Sequence, residues 1–174
     1  MFTHTSEFLV CFAHGKESGP WGTKITRLAE VARRRGFEII SPDYSGTPDP
    51  DIRVAQLLDL RPQARLGLVL VGSSMGGYVS AMAVEALHPQ ALFLMAPALY
   101  FPGFDREPPA PPAITCVVHG WDDDIVPVER AIRYSQRHRV PLYLLDSAHT
   151  LNDRIPALEL LFGDLLDRVL ADRS

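Results

Sequence analysis

Leu68-Val69-Leu70-Val71-Gly72-Ser73-Ser74-Met75-Gly76-Gly77 runs from an unbroken apolar strand into a glycine-bracketed serine and directly on into a helical pattern. Strand, sharp turn and helix in that order put one side chain at the tip of the turn. Ser74 occupies the tip. A serine hydroxyl is a weak nucleophile, so a reactive serine has to be held where a histidine and a substrate carbonyl both reach it. Gly72 and Gly76, two residues before and two after, let strand and helix pass close together with no Cβ in the way. Ser73 has Val71 and Met75 at those offsets and reads as a turn or packing residue. The same pattern also suits an ordinary βα loop, or a phosphate-binding turn at a helix N-terminus.

Upstream of the turn, Phe8-Leu9-Val10-Cys11-Phe12-Ala13 is a continuous apolar run of strand length, as in a parallel strand covered on both faces. It ends in His14-Gly15-Lys16. A breaker-rich loop through Trp21-Gly22 leads to a helix with Ile25, Leu28, Ala29 and Ala32 on one face, closed by Gly36. Residues 37–40 read as a strand, 43–51 as a loop, and the following stretch as a weaker helix facing Ile52, Ala55, Leu58 and Leu60, limited by Pro62. The central strand spans residues 66–71. Downstream come a helix with Val79, Met82, Ala83 and Ala86, then a strand at 91–95. Further strands fall at 114–119 and 142–145, with helices at 127–139 and 155–170. Strands alternating with helices at these spacings imply an α/β fold, a three-layer α/β/α sandwich on a mainly parallel sheet of about six strands.

Residues 96–113 interrupt the rhythm with Pro97, Pro102, Pro108, Pro109, Pro111 and Pro112, and with Tyr100, Phe101 and Phe104 between them. Aromatic side chains are costly to leave bare, so this segment reads as the rim of a binding cleft rather than a solvated linker.

At 174 residues the chain is expected to form one domain over 1–174. Its 47% hydrophobic and 22% charged residues are those of a globular protein that folds alone. The net charge of -4 and the lack of any basic cluster larger than Arg33-Arg34-Arg35, at a helix end, argue against nucleic acid as a partner. Met1 to Glu7 carries no basic leader region and no stretch approaches a membrane span, so a cytoplasmic protein without membrane partners is expected. Cys11 and Cys116 lie inside expected strands and read as core residues, not as a disulfide or metal pair.

A reactive serine needs a base, and the base an orienter. An acid and a histidine follow Ser74, each in the loop after a later strand. Of the six histidines, His4 is near the terminus, His88 and His138 fall at helix ends, and His14 and His119 precede glycine at strand ends. His149, in Asp146-Ser147-Ala148-His149-Thr150-Leu151, lies on a free loop after the last strand. Asp122, Asp123 and Asp124 are consecutive; one can hold the imidazole, and another can serve as a turn or cap residue for the helix at 127. Spacing alone does not choose among them.

Together these pieces resemble the α/β-hydrolase superfamily, and particularly its small lidless esterases and dienelactone-hydrolase-like members. The resemblance rests on His14-Gly15-Lys16 after the first strand, on Gly72-Ser73-Ser74-Met75-Gly76-Gly77, on His119-Gly120-Trp121-Asp122-Asp123-Asp124-Ile125-Val126-Pro127, and on Ala148-His149. The third piece is similar to the family's H-G-x-x-D-x-hydrophobic-V-P, and that alignment selects Asp123. The resemblance also implies an oxyanion hole from the backbone N–H groups of Lys16 and Met75. Two departures stand out. The chain begins at what resembles the family's third strand, which implies a minimal fold without the antiparallel edge hairpin. The proline-rich segment stands where larger members carry a cap domain, which implies an open cleft.

The expectation is therefore a serine hydrolase, carboxylesterase- or thioesterase-like (EC 3.1), acting on an ester or thioester of a small or flexible acyl group, with catalytic Ser74, Asp123 and His149. No cofactor and no metal are expected, although His119 with Asp122 to Asp124 mimics a metal cluster; a chelator should leave activity unchanged. Trp21, Tyr44, Tyr100, Phe101, Phe104 and Trp121 lie on expected loops near the active edge and are candidates for substrate contact. The alternatives are a doubly wound binding module using residues 72–77 for a phosphate or nucleotide, and a pseudoenzyme of the same fold. No P-loop lysine follows the turn, and a binding turn has no need of Asp123 and His149.

Overall fold

In the computed structural model, residues 6–104 and 106–172 are described; His4 and most of the Met1 to Glu7 stretch lie outside them. Six strands form one sheet: β1 (Phe8–Ala13), β2 (Glu38–Ile40), β3 (Gly67–Ser73), β4 (Ala91–Met95), β5 (Ile114–Gly120) and β6 (Leu142–Leu145). Every neighbouring pair is parallel, and the order is β2-β1-β3-β4-β5-β6. The chain therefore turns one way from β1 and the other way into β3, and the strand order reverses between them.

The unbroken apolar runs in β1, β3 and β4 follow from helices on both faces. Val10 and Phe12, Val69 and Val71, and Phe93 face one core together with α1 (Thr23–Arg34) and α5 (Ile155–Ala171). Leu9 and Cys11, Leu68 and Leu70, and Leu92 and Leu94 face the other. That second core is closed by α2 (Pro50–Leu60), α3 (Met75–Leu87) and α4 (Val128–His138). The result is a three-layer α/β/α sandwich. Both cysteines are free and buried in it, and burial pushes their thiols up to about 12. No helix among the described residues is long and apolar enough to cross a membrane.

Helix ends follow local chemistry. Gly36, at φ 82°, ends α1: its N–H bonds Arg33 O at 3.0 Å and the Phe37 N–H bonds Ala32 O at 3.1 Å, the Schellman pattern. The α2 helix starts inside the expected 43–51 loop, at Pro50. Asp49 accepts hydrogen bonds from the Asp51 and Ile52 N–H groups, and the proline ring is pre-set for a first helical position. The buried face of α2 is also not the expected one: Ile52 and Leu60 are about half exposed, while Arg53, Val54 and Leu57 point inward. A charged side chain sets the rotation of this helix because it finds carbonyl acceptors inside. A short 3-10 turn, Asn152–Arg154, precedes α5 and was not expected.

Between β4 and β5 the chain has only turns among the described residues, and no cap domain is inserted. The segment is nonetheless anchored. Ala98 and Leu99 are buried, the Tyr100 hydroxyl donates to Glu107 at 2.9 Å, and Arg133 of α4 lies 3.8 Å over the Tyr100 ring. Glu107 also accepts from Arg137 at 2.8 Å.

Candidate active site

All the residues singled out from the motifs sit at the carboxyl ends of the strands, and the turn after β3 lies beside the reversal between β1 and β3, where open α/β sheets bind ligands. Ser74 follows β3 with φ 55° and ψ -118°, a region that non-glycine residues avoid. Its backbone is held from several sides: its N–H donates to Met95 O at 2.9 Å, and its carbonyl accepts from Gly77 at 2.9 Å and Ala98 at 3.0 Å. The glycines make the turn possible. A Cβ on Gly72 would stand 2.2 Å from Gly76 O, and one on Gly76 would stand 1.9 Å from Ala13 O at the end of β1.

His149 lies on the loop after β6 and Asp123 on the loop after β5, so the pairing of β5 with β6 brings them side by side. His149 Nε2 is 3.0 Å from Ser74 Oγ, and its Nδ1 is 2.7 Å from Asp123 Oδ2. A carboxylate oxygen only accepts, so Nδ1 carries the proton and Nε2 is free to accept from the serine hydroxyl. The strand-end glycine Gly120 permits this approach, since a Cβ there would lie 2.2 Å from Ser147 O in the histidine loop.

Asp123 is buried, and its carboxylate is fully used. Its Oδ1 accepts from the Ile125 N–H at 2.9 Å and the Val126 N–H at 2.8 Å. Its Oδ2 faces His149 on one side and His119 Nε2, at 3.0 Å, on the other. Burial works against ionisation here, but hydrogen bonds from His119, His149 and the Val126 and Ile125 N–H groups outweigh it, and the carboxyl is held well below the usual range. Asp122 and Asp124 are exposed, and neither caps α4, whose N-terminus has no side-chain cap. Asp123 itself makes the turn, because its own Oδ1 takes the two free N–H groups.

The sequence places His119 at a strand end, at the head of the family-like segment and beside a mimic of a metal cluster, but gives it no contact with Asp123. Its Nε2 lies 2.9 Å from Val126 O as well as next to Asp123, so it must carry the proton and share it between two acceptors. The signal available was its place at the head of the same segment as Asp123. Arg53 was also missed, since a charge in a helix is ordinarily read as a solvated face.

Ser74 and His149 open onto a cleft of about 580 Å³. Its walls are mostly apolar, with Ile25, Ala98, Phe101, Phe104 and Val126, and Lys24 stands at its edge, donating to Thr150 O. Lys16 and Met75 line the same cleft. Among the described residues neither the Lys16 nor the Met75 N–H has a hydrogen-bond partner. Gly15 backs onto the serine, with a Cβ there 3.5 Å from Ser74 Cβ. Of the six aromatic candidates, Phe101 and Phe104 line the cleft and the other four do not. Tyr44 is in the core against His14, Tyr100 is buried beneath Arg133, and Trp21 and Trp121 are about half exposed outside the cleft. Among the described residues no group of three or more His, Cys, Asp or Glu side chains is arranged to hold a metal ion.

The alpha/beta hydrolase family model matches residues 10–172. The chain belongs to the alpha/beta hydrolase family. A solved structure from Xanthomonas campestris pv. campestris, assigned to the alpha/beta hydrolase superfamily, is 32% identical and superposes with a TM-score of 0.81 over 92% of this chain and 99% of its own. A serine hydrolase without lid from Xanthomonas campestris shares the fold at 24% identity and TM-score 0.66, over 94% of this chain and 83% of its own. Est1E from Butyrivibrio proteoclasticus does so at 15% identity and TM-score 0.75, over 97% and 90%. No curated protein is significantly similar in sequence to this chain. This alpha/beta hydrolase carries no cap domain among its described residues, and its cleft lies over the turn that carries Ser74.

Proposed function

We propose that this hydrolase cleaves carboxylic esters or thioesters through an acyl-enzyme formed on Ser74. The observation that supports this reading most strongly is the continuous chain of hydrogen-bond distances Ser74–His149–Asp123, at 3.0 and 2.7 Å. Ser74 Oγ attacks the substrate carbonyl while His149 Nε2 takes its proton, and Asp123 holds the imidazole in the required tautomer and stabilises the imidazolium. The Lys16 and Met75 N–H groups receive the oxyanion, a contribution of about 3 kcal/mol each. His149 then returns the proton to the leaving alcohol or thiol, and water, activated by the same imidazole, releases the acid.

The cleft narrows the substrate class. Its apolar walls suit an acyl chain or ring, while a volume of about 580 Å³ under an uncapped mouth gives no enclosed tunnel for a long lipid. In a series of p-nitrophenyl esters from acetate to palmitate, kcat/KM is expected to peak at short to medium chains and to be about tenfold or more lower for palmitate. A maximum at palmitate would contradict this assignment of the cleft.

The pH dependence separates the two titrating partners. Asp123 stays ionised down to strongly acidic pH because its carboxyl is held low, so an acid limb reports the base alone. Activity is expected to fall on the acid side, because an imidazolium at His149 cannot accept from Ser74. A rate that stays flat down to pH ~4 would remove His149 from that role.

A further inference from the structure

The most deeply buried charge outside the Ser74–His149–Asp123 chain belongs to Arg53, which is 1% exposed. It makes no ion pair among the described residues. Its guanidinium instead donates to three backbone carbonyls: Nε to Thr47 O at 2.8 Å, and Nη1 to Gly15 O at 3.2 Å and His14 O at 3.4 Å. Burial pulls its pKa down from the usual value. Arginine nevertheless remains charged at any physiological pH. Burying a cation against neutral carbonyls is expensive, and a fold that keeps one there at the back of its cleft invites a reason.

The Gly15 carbonyl receives a second donor. The Tyr44 N–H donates to His14 Nε2 at 2.9 Å, so that ring carries its proton on Nδ1, which lies 2.8 Å from Gly15 O. Two donors, one of them cationic, therefore converge on one carbonyl oxygen. That carbonyl belongs to the same peptide group as the Lys16 N–H. Hydrogen bonds polarise along such a unit: drawing electrons to the oxygen makes the N–H at the other end a stronger donor. Charge-assisted bonds do so most.

We propose that Arg53 is a positioning residue for the oxyanion hole, clamping the His14-Gly15-Lys16 loop from behind and strengthening the Lys16 N–H toward the charge that develops on the substrate. This rests on the serine-hydrolase reading above. The effect belongs to the transition state, since a neutral ester carbonyl draws little from a stronger donor and an oxyanion draws much.

The test compares native protein, Arg53→Met and Arg53→Lys by kcat and KM on a short p-nitrophenyl ester. It adds the inhibition constants of a trifluoromethyl ketone, whose adduct with Ser74 Oγ carries an oxyanion, and of the matching unreactive methyl ketone. For Arg53→Met, kcat is expected to fall about 100-fold with KM within a few-fold, and the trifluoromethyl ketone to weaken in parallel while the methyl ketone does not. Lysine keeps the charge but cannot span Thr47 O and Gly15 O together, so Arg53→Lys is expected to lose only about tenfold in kcat. Should Arg53→Met fail to fold, the lysine variant carries the test. In whichever folded variant is read, kcat within about threefold of native, or a loss confined to KM or shared equally by the two ketones, overturns the proposal. A native protein that neither turns over the ester nor binds the trifluoromethyl ketone overturns the serine-hydrolase reading and this inference with it. An active native protein with an unaffected variant overturns this inference alone.

Discussion

Alanine at Ser74 is expected to lower kcat for ester hydrolysis by about 10⁶ while leaving the protein folded. The large factor follows from where the hydroxyl sits. Its oxygen is 3.0 Å from His149 Nε2 and faces the cleft, and in the mechanism proposed above it is the atom that carries the acyl group. Without it, His149 has no hydroxyl to deprotonate and Asp123 no working base to orient, and adding His149→Ala should cost almost nothing more, because groups that act as a unit lose their effect together. The fold should survive since alanine keeps the Cβ and accepts the same φ of 55° with the same strain. Steady-state rates with a thermal melt for each variant check both halves. A Ser74→Ala protein retaining a tenth of native activity would move the nucleophile elsewhere.

The second large effect is structural. A Cβ at Gly76 would meet Ala13 O at 1.9 Å and His14 O at 2.8 Å, both backbone atoms of β1 and its loop. Neither can swing aside as a side chain would. The N-terminus of α3 would have to draw back from β1, which separates Ser74 from Lys16 as well as opening the core. Gly76→Ala is expected to cost more than about 4 kcal/mol or to abolish soluble folded protein. The control is Gly46→Ala, where nothing lies within 4 Å of the added Cβ and the change should stay within about 0.5 kcal/mol. Denaturant midpoints for the two variants decide it, and equal midpoints would contradict the close packing of turn and strand.

Much of this architecture was legible because it rests on local signals. Apolar runs such as Phe8–Ala13 and Ala91–Met95 need no tertiary information to read as buried strands, and Gly36 marks the end of the first helix in the same way. The serine turn was legible for the same reason, since its glycines answer a steric demand made within a few residues. What was not legible depends on partners distant in sequence. Arg53 turns inward only because the Gly15 carbonyl, 38 residues away, and the Thr47 carbonyl wait for it, so the hydrophobic pattern alone set the α2 helix facing Ile52 and Leu60. His119 looks like any strand-end residue until the loop that follows folds Asp123 back onto it. Tyr44 sits on a loop, yet its ring packs against buried His14 instead of turning to the cleft. Among consecutive Asp122, Asp123 and Asp124, resemblance to a family selected one; in the fold, Asp123 is the buried one beside His149.

An activated nucleophile at Ser74 should be open to covalent labelling. Native protein and the Ser74→Ala variant would be treated with a fluorophosphonate probe, digested, and the modified peptide identified by mass spectrometry. A single adduct is expected on Ser74 in the native protein and none in the variant. Folded native protein that takes no label, or a label that persists in Ser74→Ala, would contradict it.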